Sequence, residues 1–367
     1  MILVETDRDA LLKPLTAVSG IVERRHTLPI LSNVLIERKN KKLRFATTDL
    51  EIQIATDTQC KEEGQDVAVT VSARKLQEIL RSLPEKTKVM LEQKETRLLV
   101  KAGRSRFSLQ TLPAEDFPKQ TQGIAQYREK MTQKELKHLF SLVQYAMAQQ
   151  DIRYYLNGML MVIEEDRLKV VATDGHRLGF ASQKQKQKKT QQEVILPRKA
   201  VMEVGRLLAD NDEEVDIELA LNQAKFSFSN IEIVTKVVDG KFPDYARVIP
   251  VNSPKKLQIS RARLQQALQR IAILANEKFR GVRWVLTDKS LRIICTNNEQ
   301  EEAQEELEVD YTGEALDIGF NISYLLDVLN NLDCAEVCCA FGDASSSALI
   351  TIPGNEDFKY VVMPMRI

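Results

Sequence analysis

The chain repeats one pattern three times, and that repetition constrains its fold more than any other feature. KLRFATTDLE (42–51), RLKVVATDGH (167–176) and SLRIICTNNE (290–299) align without gaps. Each reads as an alternating strand that runs into a Thr-Asp or Thr-Asn turn. Thr48, Thr173 and Thr296 therefore stand 125 and 123 residues apart. Other landmarks keep the period. LSNVLIE (31–37) matches LNGMLMV (156–162) and FRGVRWV (279–285). A strand entering a helix reads VSARKLQEILRSL (71–83), ILPRKAVMEVGRLL (195–208) and FNISYLLDVLNNL (320–332). Asp116-Phe117-Pro118 returns as Lys241-Phe242-Pro243.

Each unit opens with an amphipathic helix. Leu136, Leu139, Phe140, Val143 and Met147 mark one helical face in the second unit, behind a Thr132/Glu135 capping box. Leu264, Leu268, Ile271 and Ala275 do the same in the third. Leu11, Leu12, Leu15 and Val18 form the first, where Pro14 predicts a kink or a late start. A second, shorter helix follows in mid-unit, and the rest reads as short alternating strands. The expected fold is α+β: three tandem two-helix, antiparallel-sheet domains of roughly 120 residues each. Their boundaries fall in KQTQGIAQYREK (119–130) and PVNSPKK (250–256), giving 1–123, 124–250 and 251–367. QKQKQKKTQQ (183–192) is a basic low-complexity loop inside the second.

No apolar run approaches the ~18–20 residues of a membrane-spanning helix. The start, MILVETDRDALLK, lacks the basic flank of a secretory leader. Cys60, Cys295, Cys334, Cys338 and Cys339 are scattered, and a C-x3-CC group without histidine is a poor zinc site. Free thiols in a reducing cytoplasm are the expectation, with no metal and no cofactor. Net charge is zero, but its distribution is uneven: +4 over 1–123, +1 over 124–250 and −5 over 251–367.

Asp174, Gly175, His176 and Arg177 invite a catalytic reading, since histidine is the common proton carrier near neutral pH. The repeats argue against it. His176 aligns with Glu51 and Glu299, whereas the Thr-Asp part is shared, so Asp174 is expected to shape a turn. There is no nucleophile elbow, no H-E-x-x-H and no Gly-rich phosphate loop. A hydrolase or transferase using His176 would need one of these; a plain oligomeric scaffold would not.

With QQDIRYYLNGML (149–160), ATDGHRL (172–178), VDGKFPDYARVIP (238–250), NEKFRGVR (276–283) and YVVMPMRI (360–367), the whole chain resembles the bacterial sliding clamps, the beta subunits of DNA polymerase III. The resemblance implies the DNA clamp fold, a head-to-tail homodimer closed into a ring with helices inside and sheets outside. It implies a non-catalytic, cytoplasmic processivity factor that encircles double-stranded DNA without sequence preference. The implied partners are the polymerase III catalytic subunit, the clamp loader, translesion polymerases, mismatch repair proteins and ligase, with no membrane.

Four sets of residues follow, two from the resemblance and two, the basic helix lining and the charged strands of the dimer, from the residues themselves. Arg25, Arg74, Gln150, Tyr154 and Tyr155 match DNA-touching positions, although the tyrosines could equally fill a domain junction. A basic helix lining of Lys13, Arg74, Lys75, Arg81, Lys134, Lys137, Arg198, Lys199, Arg206, Arg261, Arg263 and Arg270 fits loosely held phosphates, or merely solvated faces. The helix near 323–332 has no Lys or Arg, so the lining should be weaker there. A partner-peptide pocket would comprise Leu156, Thr173, Gly175, His176, Arg177, Leu178, Pro243, Arg247, Val248, Val361, Met363, Pro364, Met365 and Arg366; alternatively, Val361–Met365 is only a last core strand. For the dimer, Lys101, Arg104 and Arg106 beside Phe107 would face Glu301, Glu302 and their acidic neighbours, with Ile273 and Leu274 packing on Phe107. The alternative is a pair of charged, guarded sheet edges.

Overall fold

The structure is a computed structural model that describes residues 1–23, 27–60, 65–121, 123–164, 166–185, 191–276 and 278–367. Six helices are present among them: α1 (Arg8–Val18), α2 (Ala73–Ser82), α3 (Gln133–Ser141), α4 (Arg198–Leu207), α5 (Arg261–Ile271) and α6 (Ile322–Asn331). Two fall in each sequence repeat, and the remaining regular structure is antiparallel strand plus short 3-10 turns.

Local chemistry sets the helix starts. Side chains of Ser72, Ser260 and Asn321 accept from the backbone N–H groups of Lys75, Arg263 and Ser323, capping α2, α5 and α6. At α3 the capping box is complete: Thr132 N–H donates to Glu135 at 2.8 Å, and Glu135 N–H donates back to Thr132 Oγ1 at 3.2 Å. Helix α1 does not start late. It runs from Arg8 through a buried Pro14, because Leu11, Leu15 and Val18 are buried along the same face and offset the ~3 kcal/mol that proline costs.

The chain gathers into two compact units, Met1–Lys137 with Met202–Val237, and His138–Val201 with Val238–Ile367. The second repeat thus contributes strands to both. In the first unit a twelve-stranded sheet runs Ile2–Asp7, Lys88–Lys94, Arg97–Ala102, Ser105–Leu112, Val67–Ser72, Asn33–Lys39, Lys42–Thr48, Ile52–Gln59, Ile231–Lys236, Gln223–Phe228, Glu214–Leu219, Tyr127–Thr132. Helices α1 and α2 pack on each other, and α1 also covers the strands Lys42–Thr48 and Ile52–Gln59. Where Ile52–Gln59 meets Ile231–Lys236, Arg44 bridges Asp57 (3.3 Å) and Glu232 (2.8 Å), and Lys225 adds a contact to Glu232 at 2.9 Å.

The second unit holds an eight-stranded sheet, Gln192–Pro197, Gly158–Glu164, Arg167–Thr173, Arg177–Lys184, Asn355–Val362, Ala348–Ile352, Glu336–Phe341, Lys255–Ser260. It also holds a four-stranded one, Glu302–Glu308, Ser290–Thr296, Gly281–Thr287, Leu316–Asn321. Trp284, Phe320 and Phe341 stack edge-on or tilted in its core, with centroids 5.6–6.4 Å apart.

The triplication is now visible as topology. Strands 67–72, 33–39, 42–48 and 52–59 form a four-stranded set; 192–197, 158–164, 167–173 and 177–184 repeat it, as do 316–321, 281–287, 290–296 and 302–308. The outermost strand of each of the first two sets pairs onward with another strand. Glu302–Glu308, the third, pairs only with Ser290–Thr296 among the described residues.

Candidate functional site

The turn that carries His176 is built the same way in two repeats and stretched in the third. Asp49 Oδ1 accepts from Glu51 N–H (3.0 Å) and Ile52 N–H (2.8 Å). Asp174 Oδ1 accepts from His176 N–H (2.9 Å) and Arg177 N–H (3.0 Å). Thr48 and Thr173 hydroxyls donate to the carbonyls of Ile52 and Arg177. Asn297 accepts from Glu299 and Glu301 N–H, the second of them one residue before its strand begins. Leu50 and Gly175 share a positive φ, 79° and 88°. Asp174 therefore serves the turn, and the exposed His176 is carried by it.

Arg177 is less available than its motif suggests. Nε donates to Asp174 (3.1 Å), Nη1 to Asp327 (2.5 Å) and Nη2 to the Tyr145 carbonyl (2.6 Å). Its guanidinium lies 4.3 Å from the Tyr324 ring centroid. Burial works against the charge, but Tyr360, Asp327 and Asp174 outweigh it and raise the pKa. Burial also raises the Tyr145 phenol well above its ordinary value, and its hydroxyl finds no hydrogen-bond partner among the described residues.

Gln150, Tyr154 and Tyr155 sit on a loop organised by Asp151. Gln150 has φ 58°. Asp151 accepts from Arg153 Nη2 (2.9 Å) and Nε (3.1 Å), and its own N–H donates to Asn157. Arg153 hydrogen bonds hold the Asp151 carboxyl down at about 2. Arg153 also covers Gly175: a β-carbon there would stand 2.9 Å from Nη2. Tyr154 is exposed, whereas Tyr155 is half-buried against the core below.

That core comprises Leu160, Val162, Val171, Leu178, Phe180, Ile195, Phe242 and Val361, with Tyr245 and Ile249 packed on it. Leu156, Leu178 and Val361 are thus buried beneath the candidate groove, and Thr173 is half-buried. Gly175, His176, Pro243, Arg247, Val248, Met363 and Arg366 are exposed, and Pro364 and Met365 half-buried. Arg247 pairs with Asp244 at 2.9 Å. The tail divides: the last strand ends at Val362, and beyond it Met363 N–H donates to the His176 carbonyl and Met365 N–H to Gly319, both at 2.9 Å. A β-carbon at Gly319 would collide with the Met365 carbonyl at 2.4 Å. A glycine inside DIGFN is a legible sign of such an approach; the roles of Arg153, Tyr145, Tyr324 and Asp327 had no local signal.

Arg25 lies outside the described residues, as do 186–190 of the basic loop. Arg74 pairs with Glu78 at 2.8 Å. Several lining bases are tied to carbonyls: Arg198 to Met147, Arg206 to Ala17, Arg261 to Cys334 and Leu329, Arg263 to Glu308. Arg270 pairs with Glu305, while Lys13, Lys75, Arg81 and Lys134 are exposed. Helix α6 carries no basic residue.

In the first unit, Arg104 and Arg106 are exposed and Phe107 half-buried; only Thr111 and Leu112 of Ser105–Leu112 pair with Val67–Ser72. In the second, Ile273 is 79% exposed, and with Leu274 and Glu301 it lines a depression of about 450 Å³; Glu302 is exposed.

Comparison with known proteins agrees along the full chain. Family models for the DNA polymerase III beta subunit match as its N-terminal domain (residues 3–121), central domain (130–244) and C-terminal domain (246–366). The beta sliding clamp of Pseudomonas putida is 46% identical over 361 residues, spanning 98% of each chain. That of Escherichia coli K12 is 43% identical, spanning 98% of this chain and 99% of its own. A crystal structure of the Pseudomonas aeruginosa sliding clamp bound to griselimycin superposes with TM-score 0.95 at 45% identity, covering all of both chains. This three-domain clamp architecture and these relatives place the chain in the sliding-clamp family of DNA polymerase III beta subunits, the non-catalytic processivity factors of DNA replication.

Proposed function

We propose that two copies of the chain close head to tail into a ring that encircles duplex DNA, slides along it and tethers partners through the groove beside His176. One observation carries this reading. Twice within the chain the outer strand of a four-stranded set (Ile52–Gln59, Arg177–Lys184) pairs with the last strand of a second set (Ile231–Lys236, Asn355–Val362). The third copies of these two strands, Glu302–Glu308 and Ser105–Leu112, lack that pairing among the described residues. A second copy of the chain supplies both partners, and two identical joints close by rotation. Carried over from either in-chain joint, the register sets Arg104 opposite Glu306, Arg106 opposite Gln304 and Ser108 opposite Glu302. Basic strand then meets acidic strand, with Ile273 and Leu274 beside Phe107.

The domains of the ring are 1–123, 124–250 and 251–367. Exposed Lys13, Lys75, Arg81 and Lys134 support weak, sequence-independent phosphate contact, to which Arg25, Arg74, Gln150 and Tyr154 add. The polymerase III catalytic subunit, clamp loader, translesion polymerases, mismatch repair proteins and ligase dock through short peptides, in the cytoplasm. Sedimentation of Ile273→Ala with Leu274→Ala tests the joint: monomers at micromolar concentration are expected, and a wholly dimeric double variant contradicts it.

A further inference from the structure

The guanidinium of Arg177 stands beside the exposed backbone of Gly175 and His176, yet every nitrogen it carries is already donating. Asp174, Asp327 and the Tyr145 carbonyl take Nε, Nη1 and Nη2, and the Tyr324 ring covers one face. Asp174 is needed by the turn, because it also accepts from His176 and Arg177 N–H. The Tyr145 carbonyl is backbone. Asp327 alone among these acceptors is a side chain from outside the turn; it sits on α6, part-exposed, 150 residues away in sequence. Asp174 and Asp327 thus share one guanidinium, and Arg153 also reaches the Asp174 carbonyl.

From this geometry we propose that Asp327 is a specificity-determining residue for peptide docking, holding Arg177 away from the groove so that acidic side chains next to the 175–177 turn are disfavoured. The inference rests on the groove reading above. Asp327 acts through Arg177 and is a positioning residue. Replacing its carboxylate by an amide weakens the charge-assisted hold on Nη1 and removes one negative charge, and both changes favour an acidic ligand.

The test uses the full-length protein. A short peptide selected on it by display is made with Glu or with Gln at each position in turn. Fluorescence anisotropy then gives the Glu-to-Gln affinity ratio for wild type, Asp327→Asn and Asp327→Glu. For Asp327→Asn, the penalty for Glu should fall at least about threefold at one position while Gln peptides bind as before. Asp327→Glu should restore the wild-type ratio, and the Arg177 Nη1–H signal should exchange faster only in Asp327→Asn. A ratio unchanged at every position overturns the proposal, as does an equal loss for Glu and Gln peptides, which marks a purely structural role. Selected peptides that still bind after removal of Met363–Ile367 overturn the groove reading itself, a separate outcome.

Discussion

Asp151 takes its two side-chain hydrogen bonds from Arg153, and that is the physical cause of its low pKa of about 2. A carboxylate whose folded pKa lies below its ordinary value stabilises the fold fully above that ordinary value and loses the effect as pH falls through the folded one. The Gln150–Tyr155 loop should therefore keep its shape at pH 4, and carbon-detected NMR should show the Asp151 carboxyl titrating near 2. A midpoint at the ordinary value would mean that the Arg153 contact does not persist. Leu178, a residue expected to line the groove, is buried in the cluster beneath it. Leu178→Ala should cost about 2–5 kcal/mol in denaturant unfolding, whereas a wall residue such as Val248→Ala should leave stability nearly unchanged. The sequence carried the turn at Asp174 plainly, because three copies could be compared. It did not reveal the burial of Arg177, whose partners Tyr145 and Asp327 are 32 and 150 positions away.

Among the elements, six helices and the Thr132/Glu135 capping box were legible from apolar spacing and cap chemistry, although α3 ends at Ser141, short of Val143 and Met147, and α5 at Ile271, short of Ala275. The start of α1 was not, since Pro14 suggests a kink or a late start and the helix runs from Arg8 with Leu11, Leu15 and Val18 buried along it. Nor was the point at which the C-terminal strand stops being core. Val361 and Val362 are fully packed, while Met363 and Met365 hold the chain by one backbone hydrogen bond each. Removing Met363–Ile367 should accordingly abolish binding of a polymerase-derived peptide and leave the thermal transition and the dimer in place. Unchanged affinity, or loss of the fold, would refute the division of the tail into strand and groove wall.

At the scale of the molecule, repetition supplies both the fold and the account of assembly. Two joints lie inside the chain, and the strands proposed to form a third lack such partners among the described residues. Many bases on the helices are tied to carbonyls or carboxylates, so the remaining contacts to phosphate should be weak and steeply salt-dependent. Binding by affinity and holding by topology then separate cleanly. The direct measurement loads the protein onto a nicked circular plasmid with its loader and passes the complex through a sizing column in high salt, before and after one restriction cut. Encirclement predicts that the protein stays with the closed circle in high salt and is released once the DNA is linear. Equal loss from circle and line, or equal retention on both, would contradict the ring.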